Sequence, residues 1–345
     1  MKIKKIFTSV LAAVAAVGSC AWAATEPENM QQVCDSVVPG VMKEHNAGSA
    51  CVVVADVQTG TVQAAGEYSA EGVSNPIRLQ EPTRAAMLIQ PLVLLTAVEE
   101  GLLSPFAYVS CEPLQVTPDC VLNDGLFRYG LLTCSDVIKK SSVPGTARMQ
   151  VIVKPAALAE QFSRLGLELP ACITDNMQEY LLLQKNYMAT PMQLAAAYTA
   201  IGRQGLYAPL PAKGEPGLIC QRAMKDTTAK AILKAMESCT SRSGVVGRGT
   251  ATAAAIPGYR VACKTTTVRY NELNPNSAIA GQSESKVDVG AVLMLPADAP
   301  RLMVLLLMKD VRSETMPSGG GTVAAPAVRS IAEQGIELLQ IEPAK

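Results

Sequence analysis

The chain has 345 residues, 49% apolar and 17% charged, so it can bury a large core and is not a disordered or fibrous chain. Its 30 basic residues balance 30 acidic ones, which removes any general attraction to nucleic acid or to an anionic membrane. His45 is the only histidine and no C-x-x-C pair occurs, which argues against a zinc site and against a His-based triad.

Lys2, Lys4 and Lys5 precede an apolar run from Ile6 to about Val17 and the small residues ending Ala21-Trp22-Ala23, the order of a signal peptide over residues 1–23. Two other readings of this segment stay open. One is an uncleaved anchor helix; the other is a lipoprotein leader in which Val17-Gly18-Ser19-Cys20 ends on a lipidated Cys20. All three export the chain. The cysteine content suits an oxidising compartment, with Cys111 and Cys120 the best local pair for a disulfide and Cys220 with Cys239 a second.

Residues 24–46 read as a polar helical lead-in containing Cys34, and 50–65 as two strands turning at Gln58-Thr59-Gly60. After a polar loop over 69–83, the stretch from Arg84 to Gly101 is too densely apolar for a one-sided surface helix. It predicts a buried helix closed by Gly101 at its C-cap. Residues 102–131 are irregular. A short helix is expected from Cys134 to Lys140, with Ser135 and Asp136 able to cap it and Pro144-Gly145 enforcing its end. Lys139 and Lys140 then form a solvated helix end that complements the dipole. Helices follow at 155–168, at 190–204 behind a Thr190 cap and Pro191, and at about 225–239. Strands are expected at 259–263 leading into Lys264-Thr265-Thr266-Thr267, at 287–295 and at 301–309; the unalternating run Leu302 to Met308 predicts a central strand covered on both faces. A last helix runs from about Ala325 to Leu339. This order predicts an α+β fold over 24–345: one domain with an antiparallel β-sheet flanked by helices and an inserted helical subdomain.

Four segments in order resemble the transpeptidase domain of class B penicillin-binding proteins. They are Gln90-Pro91 through Glu99-Glu100-Gly101-Leu102-Leu103-Ser104-Pro105; Thr190-Pro191-Met192-Gln193-Leu194-Ala195-Ala196-Ala197-Tyr198; Gly249-Thr250 through Val261-Ala262-Cys263-Lys264-Thr265; and Gly319-Gly320-Gly321-Thr322-Val323-Ala324-Ala325-Pro326. The resemblance implies three motifs, S-x-x-K, S-x-N and K-T-G, in which a serine attacks a D-alanyl carbonyl of a peptidoglycan stem peptide and a lysine one turn away takes its proton. Anchored on Pro91 and Glu99-Glu100-Gly101, the first motif places Met87 at the serine and Gln90 at the lysine; a register anchored on Glu81-Pro82 places Arg84 and Met87 there instead. No serine lies between Ser74 and Ser104, and no lysine between Lys43 and Lys139, so no shift restores the pair. A thioether cannot be reversibly acylated, and an amide is no general base near neutral pH.

The second motif aligns with Ser141-Ser142-Val143 and the third with Lys264-Thr265-Thr266. Strand alternation puts Lys264 and Thr266 on one face, so a branched side chain fills the space of the family glycine. The resemblance makes Ser141, Lys264, Thr265 and Thr267 vestigial substrate-binding positions. Ser283-Glu284-Ser285-Lys286 also spells S-x-x-K, but in a polar loop-like stretch, and reads as a decoy. Ser141 or Ser142, with Lys139 or Lys140 as base, stays open as a relocated nucleophile.

The resemblance implies no cofactor and no metal. It implies a location on the periplasmic side of the envelope and partnership with a peptidoglycan stem peptide or with cell-wall synthesis proteins, with membrane contact only through a signal anchor or lipidated Cys20. No pedestal domain is expected in this chain. The expectation is a catalytically degenerate, penicillin-binding-protein-like binding or regulatory protein. The alternatives are an active D,D-transpeptidase or carboxypeptidase with a displaced serine, or a structural protein whose pocket is merely filled.

Overall fold

The computed structural model describes residues 27–211, 221–269, 286–312 and 318–343. The expected signal segment, Cys20, Cys220, and Ser283 to Ser285 of the extra S-x-x-K lie outside the described residues.

In chain order the elements are α1 (Met30–Glu44), β1 (Ser49–Asp56), β2 (Val62–Ser69), the two-residue β3 (Thr83–Arg84), a tight 3-10 turn (Ala86–Ile89) and α2 (Gln90–Glu99). Then come β4 (Tyr108–Ser110), β5 (Leu114–Thr117), β6 (Cys120–Leu122), β7 (Leu131–Thr133), α3 (Cys134–Lys140), α4 (Val143–Val153) and α5 (Pro155–Arg164). Three short helices, α6 (Ala171–Thr174), α7 (Met177–Leu181) and α8 (Leu183–Asn186), lead to β8 (Met188–Ala189), α9 (Pro191–Gly202), β9 (Leu206–Tyr207), β10 (Gln221–Arg222) and α10 (Asp226–Ser238). The chain closes with β11 (Ala262–Arg269), β12 (Val287–Leu295), β13 (Leu302–Val311), a π-helical turn (Gly320–Ala324) and α11 (Ala325–Leu338).

The main sheet is antiparallel in the order β11-β12-β13-β1-β2. β13 is its central strand. Leu302 to Met308 are all buried, as expected of a strand with side chains packed on both faces. Helices α1 and α11 cover one face and α9 with α10 the other, and the segment from β3 to β10 builds the helical subdomain. β11, which carries the third motif, is the edge strand beside that subdomain, and it packs against the turn that opens α2.

Several local expectations need correction. The apolar stretch is not helical from Arg84: that residue pairs with Met188 in the β3–β8 ladder, and the α-helix starts at Gln90 with Pro91 in its first turn, where no N–H is required. The cap of α3 is Thr133, whose Oγ1 accepts the Asp136 N–H at 3.0 Å; Ser135 and Asp136 already lie inside the helix. Pro144 and Gly145 do not stop that helix; they lie inside the next one. Ser141 ends α3 in a left-handed conformation (φ 56°), and Ser142 caps the next helix, in which Pro144 fills the first turn. Lys139 is buried and donates to Ser243 O at 2.8 Å, and Lys140 Nζ donates to Arg248 O at 2.8 Å, so the helix end is tied to a Gly-rich loop rather than solvated.

Cys111 and Cys120 are free thiols, not a disulfide: Cys111 is buried against Gly145 and Val109, whereas Cys120, in the β5–β6 hairpin, has its sulfur 4.0 Å from Lys185 Nζ.

Candidate functional site

The edge strand β11, the start of α2 and the junction of α3 with α4 converge at one corner of the molecule. Each of the three motif positions is brought there by a backbone device. At α2 the chain enters through Ala86 in a left-handed conformation (φ 45°), uncommon for a residue with a side chain, and the 3-10 turn then delivers Met87. Tyr198 of α9 holds that turn: its fully buried hydroxyl donates to Leu88 O at 2.6 Å. Helix α9 is itself fixed by a reciprocal cap, with Gln193 N donating to Thr190 Oγ1 at 3.1 Å and Thr190 N to Gln193 Oε1 at 3.0 Å. At its far end α2 supplies Glu99, whose carboxylate receives the Lys225 N–H and the Thr228 hydroxyl (2.6 Å) at the start of α10.

Met87 and Gln90 face each other across one helical turn, with Gln90 Nε2 3.5 Å from Met87 Sδ. Gln90 is 0% exposed and its amide also donates to Gln184 Oε1 at 2.7 Å and Ser142 O at 3.3 Å. Gln184 closes the group by donating to Val143 O at 3.1 Å. Gln90 Oε1 is buried with no hydrogen-bond partner among the described residues. Arg84, the other register's position for the nucleophile, donates to Lys185 O at 2.7 Å and lines the same shallow pocket as Thr266.

Lys264 is also 0% exposed, and its Nζ donates to Ser141 Oγ at 2.6 Å and to Thr265 O at 2.8 Å. Burial pushes its pKa down to about 8, against the opposing influence of the nearby Cys239 and Cys263. Thr250 Oγ1 lies 3.4 Å from Ser141 Oγ. Thr266, on the same face of β11 as Lys264, turns its hydroxyl to Met87, whose backbone N–H donates to Thr266 Oγ1 at 3.1 Å. Acyl-transfer sites commonly use the nucleophile's own N–H as an oxyanion donor, and here that position's N–H is taken by a side chain. Room for the Thr266 methyl comes from Gly290 directly across the ladder, where an added Cβ would stand 3.1 Å from Thr266 Cγ2. On the opposite face Thr265 and Thr267 pack against the π-helical turn, and Gly320 N donates to Thr267 Oγ1 at 2.9 Å. Only glycine fits at 320, because a Cβ would meet Thr266 O at 2.4 Å.

At the second motif, Val143 presents an apolar side chain, and its backbone N–H donates to Asp124 Oδ1 at 2.8 Å. Ser142 Oγ donates to Asp124 Oδ2 at 2.7 Å. Burial raises the Asp124 pKa despite these donors. Ser142 is therefore spent on a carboxylate, and Lys139 and Lys140 on loop carbonyls, so neither serine has either of those lysines as a base. Asp124, Gln184 and Thr250 were not singled out from sequence. Asn123-Asp124-Gly125 signals only a turn, Gln184 sits in an undistinguished polar stretch, and Thr250 stands out only as part of the Gly249-Thr250 framing pair. Among the described residues, no group of three His, Cys, Asp or Glu side chains is placed to hold a metal ion.

Comparison with known proteins bears on the family and the fold. Residues 50–333 match the family model described as penicillin binding protein transpeptidase domain. The chain is 27% identical over 274 residues to peptidoglycan D,D-transpeptidase FtsI of Buchnera aphidicola subsp. Baizongia pistaciae, covering 74% of this chain and 46% of that protein. It is 25% identical over 329 residues to the Escherichia coli K12 protein of the same name, covering 87% and 53%. With the probable peptidoglycan D,D-transpeptidase PenA of Neisseria gonorrhoeae it shares 24% over 328 residues, covering 87% and 54%. The chain thus spans about half the length of these curated relatives. Among solved structures, the transpeptidase domain of Burkholderia pseudomallei penicillin-binding protein 3 superposes with a TM-score of 0.76 at 23% identity, covering 92% of this chain and 96% of that one. A Burkholderia ambifaria structure described as a peptidoglycan glycosyltransferase gives 0.75 at 22% identity. The fold is that of these structures, and the chain belongs to the penicillin-binding protein transpeptidase domain family.

Proposed function

We propose that this chain is a catalytically degenerate member of its family, acting in the bacterial cell envelope as a binding or regulatory protein linked to peptidoglycan synthesis. One observation carries the reading. The positions that open α2 hold Met87, half-buried, and Gln90, in contact with each other, with Gln90 fully buried and bonded to Gln184. Neither side chain can attack a carbonyl or remove a proton from a group that does. The ligand class rests on what is kept of Ser141, Lys264, Thr265 and Thr267, the vestigial binding positions: the Lys264 ammonium stands beside the Ser141 hydroxyl, an arrangement suited to the carboxylate of a stem peptide, while Thr265 and Thr267 lie on the opposite face of β11. The relatives named D,D-transpeptidases support the link to peptidoglycan. Export and a location on the periplasmic side of the envelope, by signal peptide or through a lipidated Cys20, are part of the same proposal, and cell-wall synthesis proteins are its second class of partner. Among the described residues no helix is long and apolar enough to cross a membrane.

A second reading, an active transpeptidase or carboxypeptidase with a displaced serine, rests on one contact: Ser141 Oγ lies 2.6 Å from a lysine whose pKa is lowered towards neutrality. That pair has the nucleophile and base but lacks free donors for the developing oxyanion, since the Met87 N–H already donates to Thr266 and the Val143 N–H to Asp124. Incubation of the purified protein with a fluorescent penicillin, followed by peptide mapping, separates the two. The degenerate reading expects no covalent adduct; the displaced-serine reading expects one on the Ser141 peptide. A stem-peptide analogue that raises the melting temperature of the parent protein but not of Lys264→Ala places the ligand at the third motif.

A further inference from the structure

The segment joining β6 to β7, residues 123–130, crosses the second-motif corner as a strap. Its tip is solvated: Leu126 is 100% and Phe127 64% exposed, so the tip buries little apolar surface, and only the half-buried Tyr129 ring packs inward. Most of its hydrogen bonds are local. Gly125 N donates to Asn123 Oδ1, Phe127 N to Asp124 O, and Arg128 Nη1 to Gly125 O and Phe127 O. Gly125 and Gly130 take positive φ (63° and 65°) and turn the backbone at either end.

Two contacts bind the strap to α3 and α4. The Asp124 carboxylate receives Ser142 Oγ–H and Val143 N–H, and the Tyr129 ring lies 5.7 Å from Lys140 Nζ while stacking on Phe127 at 5.6 Å. Ser142 is itself fully buried, so the strap places a charged group against a buried hydroxyl. Beneath it lies Cys111, 3% exposed, whose backbone N–H donates to Gly130 O at 2.6 Å. A Cβ on Gly145 would meet Cys111 Sγ at 2.8 Å and Ser142 Oγ at 3.1 Å, which sets the thiol and the hydroxyl side by side under the same cover.

A closure held by apolar packing would bury the tip. This one leaves the tip in water: apart from the half-buried Tyr129 ring beside Lys140, its hold on α4 is one carboxylate, Asp124, which gives up hydration to make two hydrogen bonds. We propose that residues 123–130 form a displaceable cover over the second-motif corner, latched by Asp124 on Ser142 and Val143, and that its release uncovers Ser142, Val143 and the Cys111 thiol. The burial that raises the Asp124 pKa is the same cost that makes the latch releasable. Closed, it shuts off one side of the corner whether or not the site acylates. Opening is the step that admits a ligand.

Cys111 reports the latch directly. The full chain, Asp124→Ala, and Asp124→Asn as a size-preserving second variant are exposed briefly to N-ethylmaleimide, and modification is read peptide by peptide by mass spectrometry. Exposed Cys172 calibrates the reagent and buried Cys239, on another element, reports global opening. Cys111 labelling is expected to rise at least about tenfold in Asp124→Ala, which removes two charge-assisted hydrogen bonds, and less in Asp124→Asn, with Cys239 unchanged. Trypsin cleavage after Arg128 should accelerate in the same order. Unchanged Cys111 labelling in both variants, or a rise matched by Cys239, overturns the proposal.

Discussion

Two regions meet in this molecule and have fared differently. The shell that positions the corner keeps residues whose work is to hold backbone: the Thr190–Gln193 reciprocal cap, Tyr198 on Leu88 O, Glu99 at the start of α10, and Gly320 against Thr266 O. The corner itself has side chains that fill space or bond to each other: Met87 with Gln90, Gln90 with Gln184, Thr266 with the Met87 N–H, Asp124 with Val143. Geometry and chemistry are thus separable. A fold needs its caps and close approaches whatever it does, whereas a nucleophile matters only to reaction.

The sharpest contrast is energetic. In the shell, Gly320→Ala drives a Cβ into Thr266 O and Gly290 O and should cost about 3 kcal/mol of stability, read as a large drop in the urea midpoint. Leu305→Ala in the central strand β13 should cost a similar amount, about 2–5 kcal/mol, through the cavity it leaves. If either costs less than the corner substitutions below, the division into shell and corner fails.

Lys264 belongs to both regions, and pH separates its contributions. Its folded pKa, about 8, lies below its ordinary value of 10.5, so between these the unfolded chain binds more protons and stability rises with pH. The cost of burying the ammonium is fully present below about pH 8 and is relieved by 10.5. The stability of the parent protein relative to Lys264→Met should therefore climb across that window, measured by denaturant titration at a series of pH values. A flat difference would mean that the amine is not buried as described.

Thr266→Val is a smaller test. It keeps the shape that Gly290 accommodates but orphans the Met87 N–H, at a cost of about 1–2 kcal/mol, whereas Thr266→Ser should be nearly neutral. Equal effects from both would remove the hydroxyl from the account.

Much of the shell was legible because its signals are local and periodic. Leu302 to Met308 has no alternation and became the central strand; Thr190, Pro191 and Gln193 spell a helix start and make one. The corner was legible as a substitution, because a missing serine and lysine can be read off the chain, but what replaced their contacts was not. Asp124 reaches Val143 across 19 residues of irregular chain, and Gln184 reaches Gln90 across 94, distances at which no period survives. The burial of Lys139 was missed for the same reason, since its acceptor, Ser243 O, comes from a loop 104 residues away. The expected Cys111–Cys120 clip failed because spacing says nothing about which way two thiols point, and these are separately placed.

The measurement that reaches the central claim most directly is covalent labelling of the purified protein by a fluorescent penicillin, read by gel and by intact mass. With Met87 and Gln90 at the opening of α2, no stoichiometric adduct should form over hours at neutral pH. A stoichiometric adduct on any serine, at Ser141 above all, would contradict the account and return the chain to the working transpeptidases.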